Sequence, residues 1–256
     1  PQYRVGSHRQ FVLLARVLAN HGIPSMRFDY RGMGDAEGDA RTFAEVDDDI
    51  QSAINEFYNY CPKLSGVVIW GLCDAASAAL FYAYQDERVK GLILLNPWVF
   101  TTQGAAKTYL KHYYLERFLN REFWMKIITL RFNYWESFFS LINIVKNLFS
   151  EQLDLNDQTK NLAIAKDLKI DTSLSLPIRM RECLKRFKNP VLFILSGRDL
   201  TADEFRDKLK TDREWQGLLK NSRVTWEEHS EADHTFSSQQ WRAKVEMTTL
   251  TWMGKL

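Results

Sequence analysis

Gly66-Val-Val-Ile-Trp-Gly-Leu-Cys-Asp-Ala-Ala-Ser-Ala78 decides the fold. An apolar, β-branched run ends at Gly71, Cys73 follows two residues later, and small residues then open a helical pattern. A buried strand that turns sharply into a helix holds the residue at the turn up at the sheet edge, the layout of a nucleophile elbow. The usual elbow reads Gly-x-Ser-x-Gly; here Cys73 stands at the Ser and Ala75 at the last Gly. Gly71 leaves room at the turn, where a Cβ would crowd the facing backbone. Ala75, Ala76 and Ala78 let the new helix lie close to the sheet. The positive end of that helix favours a thiolate at Cys73, and a thiolate there points to covalent chemistry at an acyl-type carbon. A small buried cysteine at a strand–helix junction shares this pattern, so the chemistry needs partners.

Two further strand ends supply them. Residues 190–200, Pro-Val-Leu-Phe-Ile-Leu-Ser-Gly-Arg-Asp-Leu, read as a buried strand and a glycine turn that carries Asp199. Residues 222–235, Ser-Arg-Val-Thr-Trp-Glu-Glu-His-Ser-Glu-Ala-Asp-His-Thr, read as a last strand over 223–228 and a polar loop ending at His234. An imidazole there would take the thiol proton and later protonate the leaving group, with Asp199 fixing its tautomer. A Cys–His pair commonly rests as thiolate and imidazolium. The chain order nucleophile, acid, histidine on three strand ends selects Cys73, Asp199 and His234. Of the five histidines, His21 in Ala-Asn-His-Gly reads as a cap on helix carbonyls, and His112 falls in an aromatic-rich stretch. His229 ends the last strand on the wrong side of the loop, and His8, after a Gly-Ser step, is the rival base. Asp203 is the rival acid; Asp233 is adjacent to His234 and badly placed to face its ring.

The rest of the chain alternates strand and helix. Ser7–Asn20 reads as a helix capped by Ser7, with Phe11, Leu14, Val17 and Leu18 as its stripe and Gly22 as its stop. Ile23–Asp29 reads as a strand running into a Gly-rich turn at Asp29–Gly38. Thr42 and Glu45 form a capping box ahead of a helix carrying Val46, Ile50, Ile54 and Phe57. Gly91–Val99 reads as another parallel strand. Such alternation implies a doubly wound, mostly parallel sheet covered on both faces, with its site at the carboxyl ends of the strands. Residues 101–188 break the rhythm with an aromatic-rich helical pattern, read as a cap between the core segments 1–100 and 189–256. A cap closes over substrate and excludes water, although most of its aromatics would serve its own small core. Its basic residues, among them Lys107, Lys111, Arg117, Arg121, Lys126 and Arg131, permit peripheral contact with a membrane surface.

The 256 residues suit one α/β domain with an insertion. A net charge of +2 is too balanced to suggest nucleic acid. Three cysteines, Cys61, Cys73 and Cys183, without framework spacing suggest a reducing compartment. No signal peptide and no apolar run of about 18 residues is present. No Cys/His cluster has metal-ligand spacing and no glycine loop cradles phosphate, so neither metal nor cofactor is expected.

The chain resembles the exosortase A system-associated hydrolases, type 1, a branch of the α/β-hydrolase superfamily. The resemblance rests on Tyr3-Arg-Val-Gly-Ser-His-Arg-Gln10, Arg27-Phe-Asp-Tyr-Arg-Gly-Met-Gly-Asp35, Gly71-Leu-Cys-Asp-Ala-Ala-Ser77 and Ser196-Gly-Arg-Asp-Leu-Thr-Ala-Asp-Glu-Phe205. It implies an α/β-hydrolase fold with the cap inserted between the sixth and seventh strands, and N-terminal strands that this sequence lacks ahead of Pro1. It also implies a cytoplasmic hydrolase or acyltransferase working near an exopolysaccharide and protein-sorting pathway, but it supplies no substrate; the acyl chemistry read at Cys73 leads to the expectation of a small-molecule or lipid- or saccharide-linked acyl substrate. The oxyanion hole would use the N–H of Asp74 and one from the early loop. Pro1 has no N–H to give, so Gln2 or Tyr3 is the second donor. Two residues depart from the pattern. Ala36 replaces a serine often found in the Gly-rich turn, and Asp74 places a carboxylate beside the nucleophile, where it would oppose a thiolate or add an acid–base group. A protein that kept this fold and lost turnover, serving as a scaffold or carrier-binding module, would share these departures.

Overall fold

The computed structural model describes residues 3–99 and 170–256. Four strands form one parallel sheet in the order β1-β2-β3-β4, with β1 at Val67–Leu72, β2 at Val89–Leu95, β3 at Val191–Arg198 and β4 at Val224–Asp233. The described helices are α1 (Gln10–Asn20), α2 (Asp47–Tyr60), α3 (Asp74–Ala83), α4 (Leu176–Arg186), α5 (Leu200–Thr211), α6 (Arg213–Leu219) and α7 (Gln239–Met253). Parallel strands need a crossover between them, and α3 supplies it from β1 to β2, α5 and α6 from β3 to β4. By internal contacts the chain divides into two compact units, 1–99 with 177–256, and 100–176. Residues 101–169, where most of the cap is expected, lie outside the described residues. Among the described residues no helix is long and apolar enough to cross a membrane.

The strands read as near-continuous apolar runs because both faces of the sheet are covered. On one face Val68, Trp70 and Leu72 of β1 and Ile93 and Leu95 of β2 pack with α1 and α7 through Phe11, Val245 and Trp252. On the other, Phe193 of β3 meets Phe205 of α5 at 5.5 Å and Trp226 of β4 at 5.6 Å, and Phe205 stands edge-on to Trp215 of α6. Ala76, Ala78 and Ala79 of α3 are all buried, as the close helix–sheet approach requires.

Four sequence expectations are corrected. Ile23–Asp29 runs extended but joins no strand. A cavity of about 340 Å³ separates it from β1, lined by Leu14 and Leu18 of α1, Ile54 of α2, Phe28, Val68 and Trp70. An extended segment becomes a strand only when a neighbour pairs with its backbone, and none of the described residues does. The first helix begins at Gln10, not Ser7. Gly6, His8 and Arg9 all have positive φ, so Ser7–Arg9 forms a separate 3₁₀ turn and Ser7 makes no cap bond. The strand read as Gly91–Val99 ends at Leu95, because Asn96 turns to φ 41° and Pro97 brings no ladder donor. The last strand runs on to Asp233 rather than ending at 228. The Thr42–Glu45 box is present, although it heads a 3₁₀ turn and α2 starts at Asp47.

Gly71 serves the turn as its sequence context predicts. A Cβ there would lie 2.6 Å from the carbonyl carbon and oxygen of Ala75 and 2.7 Å from Ala76 N, all backbone atoms that cannot swing aside. Gly71→Ala is expected to lower stability by about 1–3 kcal/mol, the cost of overpacking a close-packed core. A urea midpoint within error of the wild type would refute that reading of the turn.

Candidate active site

The sheet register aligns the strand ends. Leu72 pairs with Leu95, Leu95 with Ile194, and Arg198 with Asp233. Cys73 is thus level with Asn96, and Asp199 with His234 further along β3, all four at the carboxyl end of the sheet. An irregularity between Ser196 and Arg198 helps bring the last two strands together. Gly197 permits it, since a Cβ there would sit 2.0 Å from the Ser230 carbonyl oxygen.

Cys73 is half-buried and held at φ 61°, ψ −121°, a sparsely populated conformation for a side-chain-bearing residue. Its surroundings over-determine that geometry. Its N–H donates to Leu95 O at 2.8 Å, and its carbonyl accepts from Ala76 N at 3.1 Å and Trp98 N at 3.2 Å. The side chain consequently rises from the start of α3, whose first-turn N–H groups present partial positive charge.

His234 faces Cys73 from the β4 loop. Its Nδ1 lies 2.8 Å from Asp199 Oδ2, with the carboxylate 6% exposed and the ring 32% exposed. Hydrogen bonding to Asp199 first, and to the Cys73 side chain second, pushes the His234 pKa up to about 10 against the opposing pull of burial. Asp199 is fixed in turn as the N-cap of α5, where Oδ1 and Oδ2 accept from Thr201 N and Ala202 N at 3.1 Å each. The structure thus brings Cys73, Asp199 and His234 together.

The rivals fall elsewhere. Asp203 pairs with Arg206 at 2.9 Å. Asp233 accepts from Ser237 N at 2.9 Å, holding the His234 loop instead of the ring. His8 is exposed on the Ser7–Arg9 turn, in the field of Asp233. His21 accepts its expected task, Nδ1 lying 2.8 Å from Val17 O at the end of α1. His229 packs edge-on against Phe236 at 5.8 Å, and burial pushes its pKa down. His112 and Gln2 lie outside the described residues.

Of the oxyanion candidates, the Asp74 N–H at the first position of α3 is given no acceptor by the described residues. The Asp74 carboxylate folds back onto its own helix, accepting from Ala75 N at 2.8 Å. Burial chiefly, with the negative charges of Asp74 and Asp49 behind it, pushes the Tyr30 hydroxyl far above its usual range. Tyr3 borders the same cavity as Asp74. Its carbonyl accepts from Gly6 N at 2.8 Å and its hydroxyl donates to Asp35 at 2.7 Å. Buried Asp29 anchors that early loop by accepting from Arg4 N at 2.6 Å and by an ion pair with the Arg4 guanidinium.

Sequence reasoning missed Asn96, read as mid-strand. It is fully buried and ties the ends of β2, β3 and β4 together. An Asn-Pro step closing a buried apolar run was the available signal, since Asn tolerates positive φ and Pro ends a ladder.

A sequence model of the alpha/beta hydrolase family matches residues 5–246. The chain belongs to that family. Solved structures of this α/β-hydrolase's fold include an esterase from Pyrococcus furiosus, Pf2001, at a TM-score of 0.60 and 13% identity, covering 99% of this chain and 78% of that one. A metagenome-derived lipolytic enzyme aligns at a TM-score of 0.54 and 15% identity, covering 98% and 90%. A monoacylglycerol lipase from Paleococcus ferrophilus aligns at 0.51 and 15%, covering 95% and 88%. At such identities the likeness is one of fold. No curated protein matches the chain.

Raised His234 also makes the fold pH-dependent. A group whose folded pKa lies above its ordinary 6.5 contributes stability that is full below about pH 6.5 and fades as pH rises towards 10. With solvent screening at the partly exposed ring, the contribution is on the order of 2 kcal/mol. The stability difference between wild type and His234→Ala, from urea unfolding, is expected to shrink by that amount between pH 6 and pH 10. A difference constant across that range would contradict the assignment.

Proposed function

We propose that this α/β-hydrolase cleaves ester or thioester bonds through a covalent Cys73 acyl-thioester, with His234 as acid and base and Asp199 as its orienter. The observation that carries the reading is the His234 ring, bonded through Nδ1 to Asp199 and reaching the side chain of Cys73 at the strained elbow. The Cys73 thiolate attacks the acyl carbon, and the negative charge that develops on oxygen is met by the Asp74 N–H with a second donor from the early loop. As the bond to the leaving alkoxide or thiolate breaks, the His234 imidazolium protonates it. Neutral His234 then takes a proton from water, the hydroxide attacks the thioester, and the thiolate leaves, restoring the starting pair. The resemblance of the four quoted segments supports a place in the cytoplasm near an exosortase-linked exopolysaccharide pathway, and the Cys-His-Asp chemistry supports a small-molecule or lipid- or saccharide-linked acyl substrate.

The test is to mix the protein with an activated short-chain acyl ester, quench within seconds, and map the acyl mass by peptide mass spectrometry. An adduct on the Cys73 peptide that decays in water supports hydrolysis. One that decays only on addition of an amine or sugar hydroxyl moves the activity to acyl transfer. No adduct, with Cys73 alkylating no faster than a free thiol, leaves a binding protein on a hydrolase fold.

A further inference from the structure

We propose that Asn96 is a positioning residue, which ties the His234 loop to the strand end that also grips Cys73 and so fixes the base against the nucleophile. The inference rests on the catalytic reading above. Asn96 is fully buried at the carboxyl end of β2, at φ 41°, a conformation that Asn adopts more readily than other side-chain-bearing residues. Its Nδ2 donates to Ser196 Oγ at 2.8 Å and to the His234 carbonyl at 2.9 Å. Its Oδ1 accepts from Ser196 N at 2.9 Å, and its own N–H donates to Ile194 O at 3.1 Å. The side chain thereby extends the β2–β3 ladder one step past the backbone, just where Pro97 has no N–H to offer. One donor remains, and it reaches across 138 residues of sequence to the backbone of His234.

The same turn holds the nucleophile. Leu95 O accepts from Cys73 N at 2.8 Å, Trp98 N donates to Cys73 O at 3.2 Å, and Trp98 O accepts from Ser77 Oγ at 2.7 Å. Cys73 and His234 are consequently fastened, through their main chains, to neighbouring residues of one four-residue turn. Only an amide side chain fits this place. It supplies two donors and an acceptor without charge, whereas Asp lacks the donors and Ser has only one. Without the bond, the His234 loop keeps Asp199 on the ring and the Asp233–Ser237 contact, but loses its link to the strand end beneath Cys73.

The experiment is the pH profile of Cys73 alkylation by iodoacetamide, measured on wild type, Asn96→Gly, Asn96→Asp, His234→Ala and Asn189→Ala. Asn189 makes the same kind of bond, Nδ2 to Val89 O at 2.8 Å, at the opposite end of β2, so its loss tests stability alone. Gly tolerates the backbone angle. Asp keeps the acceptor for Ser196 N, loses the donor, and provides the readout where Asn96→Gly does not fold. Both Asn96 variants are expected to alkylate about 10- to 100-fold more slowly at pH 6, approaching His234→Ala, because small displacements of a positioned group carry penalties of that order. Asn189→Ala should keep the wild-type profile whatever its melting temperature. Asn96 variants that keep the wild-type profile while His234→Ala loses it would overturn the inference and leave the catalytic reading standing. An equal shift in Asn189→Ala would overturn it as general loosening. Coincident wild-type and His234→Ala profiles would remove the catalytic reading and the inference with it.

Discussion

Cys73→Ala should abolish turnover of any accepted ester, a loss on the order of 10⁶-fold, since removal of the nucleophile leaves only the roughly 10³–10⁴-fold acceleration over water that binding and oxyanion stabilisation supply. The fold should survive. Cys73 is half-buried, its geometry is fixed by backbone hydrogen bonds from Leu95, Ala76 and Trp98, and Ala keeps the Cβ. The more telling variant is Cys73→Ser. A serine hydroxyl must surrender its proton to the base at the moment of attack, whereas a cysteine can rest as thiolate beside imidazolium. In this site Asp199 is the largest cause of the raised His234 pKa and remains when Cys73 is changed. His234 in Cys73→Ser keeps the upward pull of Asp199, so it acts as a base only in the fraction of molecules that have lost the imidazolium proton, a fraction that grows with pH. The serine variant should be weak at pH 7 and gain activity as pH rises above neutral, while the wild type is active at lower pH. Initial rates on one activated ester between pH 6 and 10 decide it. A serine variant with the wild-type profile would mean that His234 is neutral in the working enzyme.

How the site could be read from sequence depends on how local each signal is. The elbow was legible because strand, Gly71, Cys73 and the run of small residues lie within 13 residues, and each has a steric reason to be there. Asp199 and His234 were legible because each follows the end of a strand, and the register then places those ends side by side. Asp199 also announces itself as a helix N-cap, a second local signal that Asp203 lacks. Ile23–Asp29 misled because strand propensity describes one chain, and a strand is a relation between two. Ser7 misled because a cap needs the helix to start immediately behind it, and positive φ at His8 and Arg9 delays that start. Asn96 was hidden for a different reason. Its partners Ser196 and His234 are 100 and 138 residues away, and no window along the sequence contains them.

Asp199→Asn should separate catalysis from stability. The carboxylate has two tasks. It caps α5 by accepting from Thr201 N and Ala202 N, and it accepts from His234 Nδ1–H, fixing the tautomer that points Nε2 at Cys73. Asn is as good an N-cap as Asp in most helices, so much of the first task survives. The second does not. Asp199 Oδ2 serves both Ala202 N and His234, and Oδ1 serves Thr201 N, so every direction around the group needs an acceptor. An amide turns one of them into a donor. If NH₂ faces the ring, His234 is driven to the opposite tautomer, with its proton towards Cys73. If NH₂ faces Thr201, the cap is lost instead. Either arrangement also removes the charge that stabilises imidazolium. Activity is expected to fall about 10⁴-fold, the scale of the corresponding change in serine protease triads. At pH 10, where the imidazolium no longer contributes to stability, the melting temperature should move little, because the buried volume and at least one capping bond remain; at pH 6 it should fall with the lost support of the imidazolium. Asp199→Ala should match the loss of activity and add about 1 kcal/mol of instability from the missing cap. Turnover that survives Asp199→Asn but fails in Asp203→Asn would hand the role of orienter to Asp203, and with it the meaning of the 2.8 Å contact to His234.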